Sequence, residues 1–157
     1  TEFLIENGFD MEMKAENDLT VTYHDPCRLG RQMGIYDEPR ELVAGVEGVE
    51  LVEMEHHGED AMCCGVSSMM SCNENARALR VSRMEEIRNT GADMMITACP
   101  KCVSHFECLK FEGDERHDIE ILDVVSFLAR QVEAKKSLAA DATTQFSQCS
   151  VDFSVEA

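Results

Sequence analysis

The stretch AMCCGVSS, residues 61–68, sets Cys63 and Cys64 side by side ahead of Gly65. Adjacent cysteines seldom bridge each other, because a disulfide across one peptide link violates the distances and dihedral the bond needs. A single buried thiol behaves as a small hydrophobe whose chemistry, more than its packing, explains its presence. Two thiols abreast call for a bound group. Further along, ACPKC supplies Cys99 and Cys102 at C-x-x-C spacing, and HDPC supplies Cys27. Five thiolates are one more than a tetrahedral zinc or a simple cubane cluster takes. A site with several irons can use an adjacent pair, with one thiolate per iron or one bridging two. Gly65 would then let the backbone approach inorganic sulfide where a side chain would collide.

That reading depends on the elements that position the thiols. LTVTYHD (19–25) is β-branched and aromatic and breaks at Pro26, which predicts a strand. DEPRELVAG predicts a short helix with Asp37 as cap, Pro39 in its first turn and Gly45 as its stop. VELVEM (49–54) alternates as a second strand. Ser71 and Glu74 have capping-box spacing ahead of a helix through Ala76, Leu79, Met84 and Ile87, ending near Gly91. DMMITA (93–98) is a third strand, a helix carries Phe106 and Leu109, DIEILD (118–123) is a fourth strand, and VVSFLARQV is a closing helix behind Asp123. Four alternations predict an α/β fold with a four-stranded, mainly parallel sheet and helices on both faces. Sites in such sheets form outside the carboxyl ends of the strands. Cys27, the Cys63–Cys64 pair and the Cys99/Cys102 pair each follow a different predicted strand, so they converge on one edge. No G-x-G-x-x-G follows the first strand, which argues against a dinucleotide pocket.

The remaining chemistry-bearing residues read more plainly. ACPKC alone could be a thioredoxin-like redox pair, but the three other convergent cysteines weigh against it. Cys72 and Cys108 fall on or beside helices and are expected to be packed or free thiols. Cys149 lies in a stretch with no clear period, and His56 and His57 in a glutamate-rich, solvated loop. The 157 residues suffice for one domain with a real core, at 44% hydrophobic and 29% charged residues. Residues 1–18 are expected to be the remnant of a preceding segment, 19–132 the cysteine-rich domain and 133–157 a tail. Fourteen basic against 31 acidic side chains give a net charge of −17, which disfavours nucleic acid and anionic membrane as partners. Eight cysteines with no charged–apolar–small leader at the start point to metal or redox chemistry in a cytoplasmic setting. Any membrane contact is expected through another protein of the same complex.

The five cysteines, with YHDPCRLGR, CCG and TACPKC around them, resemble the CCG cysteine-rich domain family from about Thr20 to Leu128. The family includes the B and D components of heterodisulfide reductase and iron–sulfur components of lactate- and glycolate-oxidising complexes. HDPCRLGRQMGIYDEPRE looks most like the D type. The resemblance implies that Cys27, Cys63, Cys64, Cys99 and Cys102 hold a noncubane four-iron cluster that reductively cleaves the coenzyme M–coenzyme B disulfide. It also implies partners: a second CCG domain, a ferredoxin-like segment and a membrane cytochrome. Two alternatives stay open, an electron relay in a 2-hydroxy-acid oxidase and a structural zinc domain. Arg28, Arg31 and Lys101 flank the cysteines in an otherwise acidic chain. They are expected either to offset thiolate charge or to bind the sulfonate, phosphate and carboxylate groups of the coenzymes.

Overall fold

The computed structural model describes residues 13–66, 73–113 and 119–131. Strand β1 runs over Lys14–His24, β2 over Glu47–Val52, β3 over Met94–Thr97 and β4 over Glu120–Asp123. They form one sheet in the order β2-β1-β3-β4, and every pairing is parallel. Helices α1 (Asp37–Ala44), α2 (Glu74–Asn89), α3 (Pro100–Phe111) and α4 (Val124–Gln131) occupy the connections and the end.

Right-handed crossovers decide which helix covers which face. From β1 the chain steps outward to β2 through α1, then reverses across β1 to β3 through α2, and continues the same way to β4 through α3. The reversal puts α1 on one face and α2 and α3 on the other, and α4, which follows the last strand, packs on the α1 face. Two cores result. Val21, Tyr23, Met94 and Ile96 pack with Leu42, Val43, Phe127 and Leu128 on the first face. Met95 and Ile121 pack with Met84, Ile87, Phe106 and Leu109 on the second. Neighbouring strand residues point to opposite faces, so the short run of four buried residues in β3 serves both cores.

Local differences from the sequence expectations have physical causes. β1 begins at Lys14 rather than near Leu19, because its first half pairs with β2 through a register shift between Lys14 and Leu19 and carries no hydrophobic alternation. The residue flanking α1 is Tyr36 rather than Asp37, with Asp37 and Glu38 in the first turn, where acidic groups suit the helix dipole. α2 is capped by Asn73, whose side chain accepts from the Ala76 amide at 3.0 Å; Ser71 lies outside the described residues. Asp123 accepts from the Val125 and Ser126 amides at 3.1 and 3.0 Å and so starts α4, as expected. Among the described residues no helix is long and apolar enough to cross a membrane. Residues 1–12 and 132–157, and with them Cys149, lie outside the described residues, as does Cys72.

Candidate metal centre

The point where the strand order reverses lies between β1 and β3, and the crevice outside their carboxyl ends is where open α/β sheets place ligands. β1 leads through Asp25 and Pro26 to Cys27, which opens a π-helical turn over Arg28–Gln32. Gly30 of this turn is buried against Tyr36; a Cβ there would stand 2.5 Å from a Tyr36 ring carbon. β3 leads to Cys99, whose carbonyl accepts the Val103 amide at 3.2 Å, so Cys99 is where α3 begins and Cys102 lies in its first turn. Pro100 opens that turn, where a missing N–H costs nothing.

The adjacent pair arrives on the loop after β2, and several contacts fix this loop. Asp25, 4% exposed, accepts two hydrogen bonds from Arg40 at 2.8 and 2.9 Å and one from the Gly58 amide at 2.8 Å. Arg40 also reaches Glu53 and stands over the Tyr23 ring, which ties α1 and the end of β2 to the carboxyl end of β1. Arg31 donates to the Ala61 carbonyl at 2.8 Å, two residues ahead of Cys63. Gly65 has φ +96°, and a Cβ on it would sit 2.3 Å from the Ala76 carbonyl. The close seat of the loop against α2 is by itself enough to require glycine here.

Five cysteines, Cys27, Cys63, Cys64, Cys99 and Cys102, line one cleft of about 540 Å³. Arg28 and Lys101 line it too and are exposed, whereas Arg31 borders a smaller adjoining recess of about 90 Å³. Leu29, Met33 and Val66 give the cleft an apolar wall, the mixture of apolar surface and a few convergent polar groups usual in ligand sites. Cys108, half-buried on α3, is not among the residues lining this cleft and donates to the Ser104 carbonyl at 3.2 Å.

The thiols differ sharply in surroundings. Cys64 and Cys102 are buried, with their sulfurs 3.4 Å apart. Hydrogen bonding from Cys102, helped by His24, pulls the Cys64 thiol down to about 4, while the same contact and burial hold Cys102 high. Burial pushes Cys63 up, partly offset by the Gly65 amide, whose nitrogen is 3.4 Å from its sulfur. The spread of environments means these thiols would lose their protons unequally, and a bound cation is what would bring them all to thiolates.

One neighbour was not legible as a site residue. His24, 1% exposed at the end of β1, places a ring nitrogen within 4.8 Å of the sulfurs of Cys64 and Cys102. Burial lowers its pKa. Arg83 of α2, fully buried, donates from Nε to His24 Nδ1 at 3.2 Å and from Nη1 to the His56 carbonyl and to Glu86 at 2.8 and 2.6 Å. His56 and His57 are exposed, as expected of a solvated loop, although the His56 ring is 3.0 Å from Glu86.

The model of the CCG family, described as a cysteine-rich domain, matches residues 21–107. The D component of dihydromethanophenazine:CoB–CoM heterodisulfide reductase from Methanosarcina acetivorans is 36% identical over 134 residues, covering 83% of this chain and 32% of that protein. The B component of a fumarate reductase (CoM/CoB) from Methanothermobacter marburgensis is 37% identical, over 82% of this chain and 26% of its own length. A probable iron–sulfur-binding oxidoreductase of Bacillus subtilis is 32% identical, over 82% of this chain and 18% of its own length. The chain thus spans a third or less of the length of these relatives. No solved structure matches.

Proposed function

Because the chain belongs to the CCG cysteine-rich domain family, we propose that it is the iron–sulfur domain of a heterodisulfide-reductase-like oxidoreductase. The observation that carries this reading is the meeting of five cysteines from three strand ends on one cleft at the sheet's switch point. Cys27, Cys63, Cys64, Cys99 and Cys102 would hold a noncubane four-iron cluster. When bound, the cluster supplies single electrons and an iron able to accept a thiolate. Cleaving the coenzyme M–coenzyme B disulfide takes two electrons and two protons and yields two thiols. The electrons come from partner proteins of the complex.

The chain's own residues ligate, recognise and exclude water. Cys64 and Cys102 form the buried floor of the cleft, with His24 beside them in the adjoining recess, and Cys27 and Cys99 stand nearer its mouth. Arg28 and Lys101, exposed on its wall, suit the anionic groups of the coenzymes in a chain at −17. Arg31 serves by anchoring the cysteine loop through Ala61. The names of the relatives, components of two reductases and an iron–sulfur oxidoreductase, support the reading at the level of an oxidoreductase acting within a complex.

A second reading has its own support: His24, Cys64 and Cys102 are grouped closely enough for a zinc ion. Anaerobic reconstitution followed by iron, sulfide and zinc analysis decides between the two. Electron paramagnetic resonance of the oxidised protein with and without coenzyme thiols then tests the disulfide. A cluster signal that shifts on adding thiol is expected, and a loaded cluster indifferent to thiols leaves an electron relay.

A further inference from the structure

His24 lines the small recess of about 90 Å³ that adjoins the cleft, together with Cys64 and Cys102, and its two ring nitrogens face different ways. Nδ1 accepts a hydrogen bond from Arg83 Nε at 3.2 Å. Arg83 cannot turn its donors into acceptors, since a guanidinium has none. A ring nitrogen that accepts carries no proton, so an Nδ1 that accepts from Arg83 leaves the ring's proton on Nε2, the nitrogen on the side away from Arg83. A ring nitrogen of His24 lies within 4.8 Å of the Cys64 sulfur. The orientation is held on three sides. Phe106 meets the ring edge-on with centroids 5.2 Å apart, β1 fixes its backbone, and Arg83 is itself held by the His56 carbonyl and Glu86.

A histidine that binds a metal through one nitrogen donates its other N–H to a carboxylate, carbonyl or water. His24 does the opposite, because its second nitrogen meets a donor. From this juxtaposition we infer that His24 is not a ligand but a positioning residue, an Arg83-oriented N–H donor to the Cys64 sulfur. The inference rests on the iron–sulfur reading of the site. Hydrogen bonds to cluster sulfurs set reduction potential. A donor stabilises the more negative, reduced form, so removing it lowers the potential. Within the proposed function the Glu86–Arg83–His24 chain is therefore a device that makes the cluster easier to reduce.

The test compares reconstituted wild-type protein with His24→Leu, which removes the donor, and His24→Gln, which keeps an N–H. The readouts are iron and sulfide per chain, midpoint potential by redox titration, and nitrogen couplings in pulsed electron paramagnetic resonance. His24→Leu should keep its iron and favour the oxidised form roughly tenfold, a drop of about 59 mV for one electron. His24→Gln should recover most of that shift, and Arg83→Lys, which changes the donor geometry at Nδ1, should reproduce part of it. The wild type should show no coupling from a coordinated nitrogen. Loss of iron in His24→Leu together with loss of a coordinated-nitrogen coupling makes His24 a ligand and overturns the inference. Loaded variants with unchanged potential overturn it as well. Failure of the wild type itself to bind iron and sulfide is a different result: it defeats the iron–sulfur reading on which the donor role rests.

Discussion

Cys63 and Cys64 are consecutive yet differently placed, the first half-buried beside the Gly65 amide and the second 5% exposed against Cys102. If both are ligands, Cys63→Ser and Cys64→Ser should each weaken iron binding by at least the roughly 10–100-fold seen for outer partners of metal sites. Iron per chain and the cluster's spectrum measure it, and two unaffected variants would end the five-thiolate proposal. The cations should divide by contact. Arg28→Gln should raise the Michaelis constant for the anionic disulfide in the assembled enzyme, by about 1.5–3 kcal/mol of lost charged hydrogen bonding, with the cluster still loaded. Arg31→Gln should instead reduce loading, because its partner is the Ala61 carbonyl on the cysteine loop. Equal Michaelis effects for both would return Arg31 to the substrate. The cysteines were legible because a thiol's chemistry is carried by its type and spacing. His24 and Arg83 were not, since they are 59 positions apart and their meaning lies in a contact across the fold.

α2 illustrates how an element can mislead a reader of sequence. Its stretch ARALRVSRMEE looks like a solvated charged face, yet Arg80 and Arg83 are both fully buried. Arg80 pairs with Glu112, and Arg83 with Glu86 at 2.6 Å. Against the burial that would raise it, the His56 amide and Arg83 hold the Glu86 carboxyl below its ordinary 4.5. A depressed folded pKa gives stability that is complete above 4.5 and is lost as pH falls through the folded value. Glu86→Gln should cost about 2–3 kcal/mol near neutrality by denaturant titration, below the value for a wholly buried pair because Glu86 is partly exposed. The gap between variant and wild type should close in acid, and a gap independent of pH would show that charge is not its source. Gly65→Ala must abandon φ +96° or strike the Ala76 carbonyl, so it should cost about 1–3 kcal/mol and loosen the adjacent pair. The order of strands and helices was legible because hydrophobic alternation and Pro and Gly punctuation mark it. The first half of β1 was not, because KAEND has no such pattern and pairs through an irregular register.

At the scale of the whole molecule, the site sits where the strand order reverses, and the acidic chain keeps Arg28 and Lys101 at its mouth. Because the chain spans a third or less of its relatives, it should load a cluster in isolation and yet not turn over the disulfide. Activity should return only with the remaining domains or partner proteins, and multiple turnovers by the chain alone would contradict the proposed division of labour. The five cysteines come from three strand ends scattered along the chain, and they meet only once β1 and β3 are paired side by side. An unfolded chain offers at most an adjacent pair or a C-x-x-C, too few thiols to capture a polynuclear group. A zinc finger can gather its metal as it folds; the proposed five-thiolate ligation implies the reverse order. On that reading the sheet is built first, and a polynuclear group enters an already folded recipient through the open cleft.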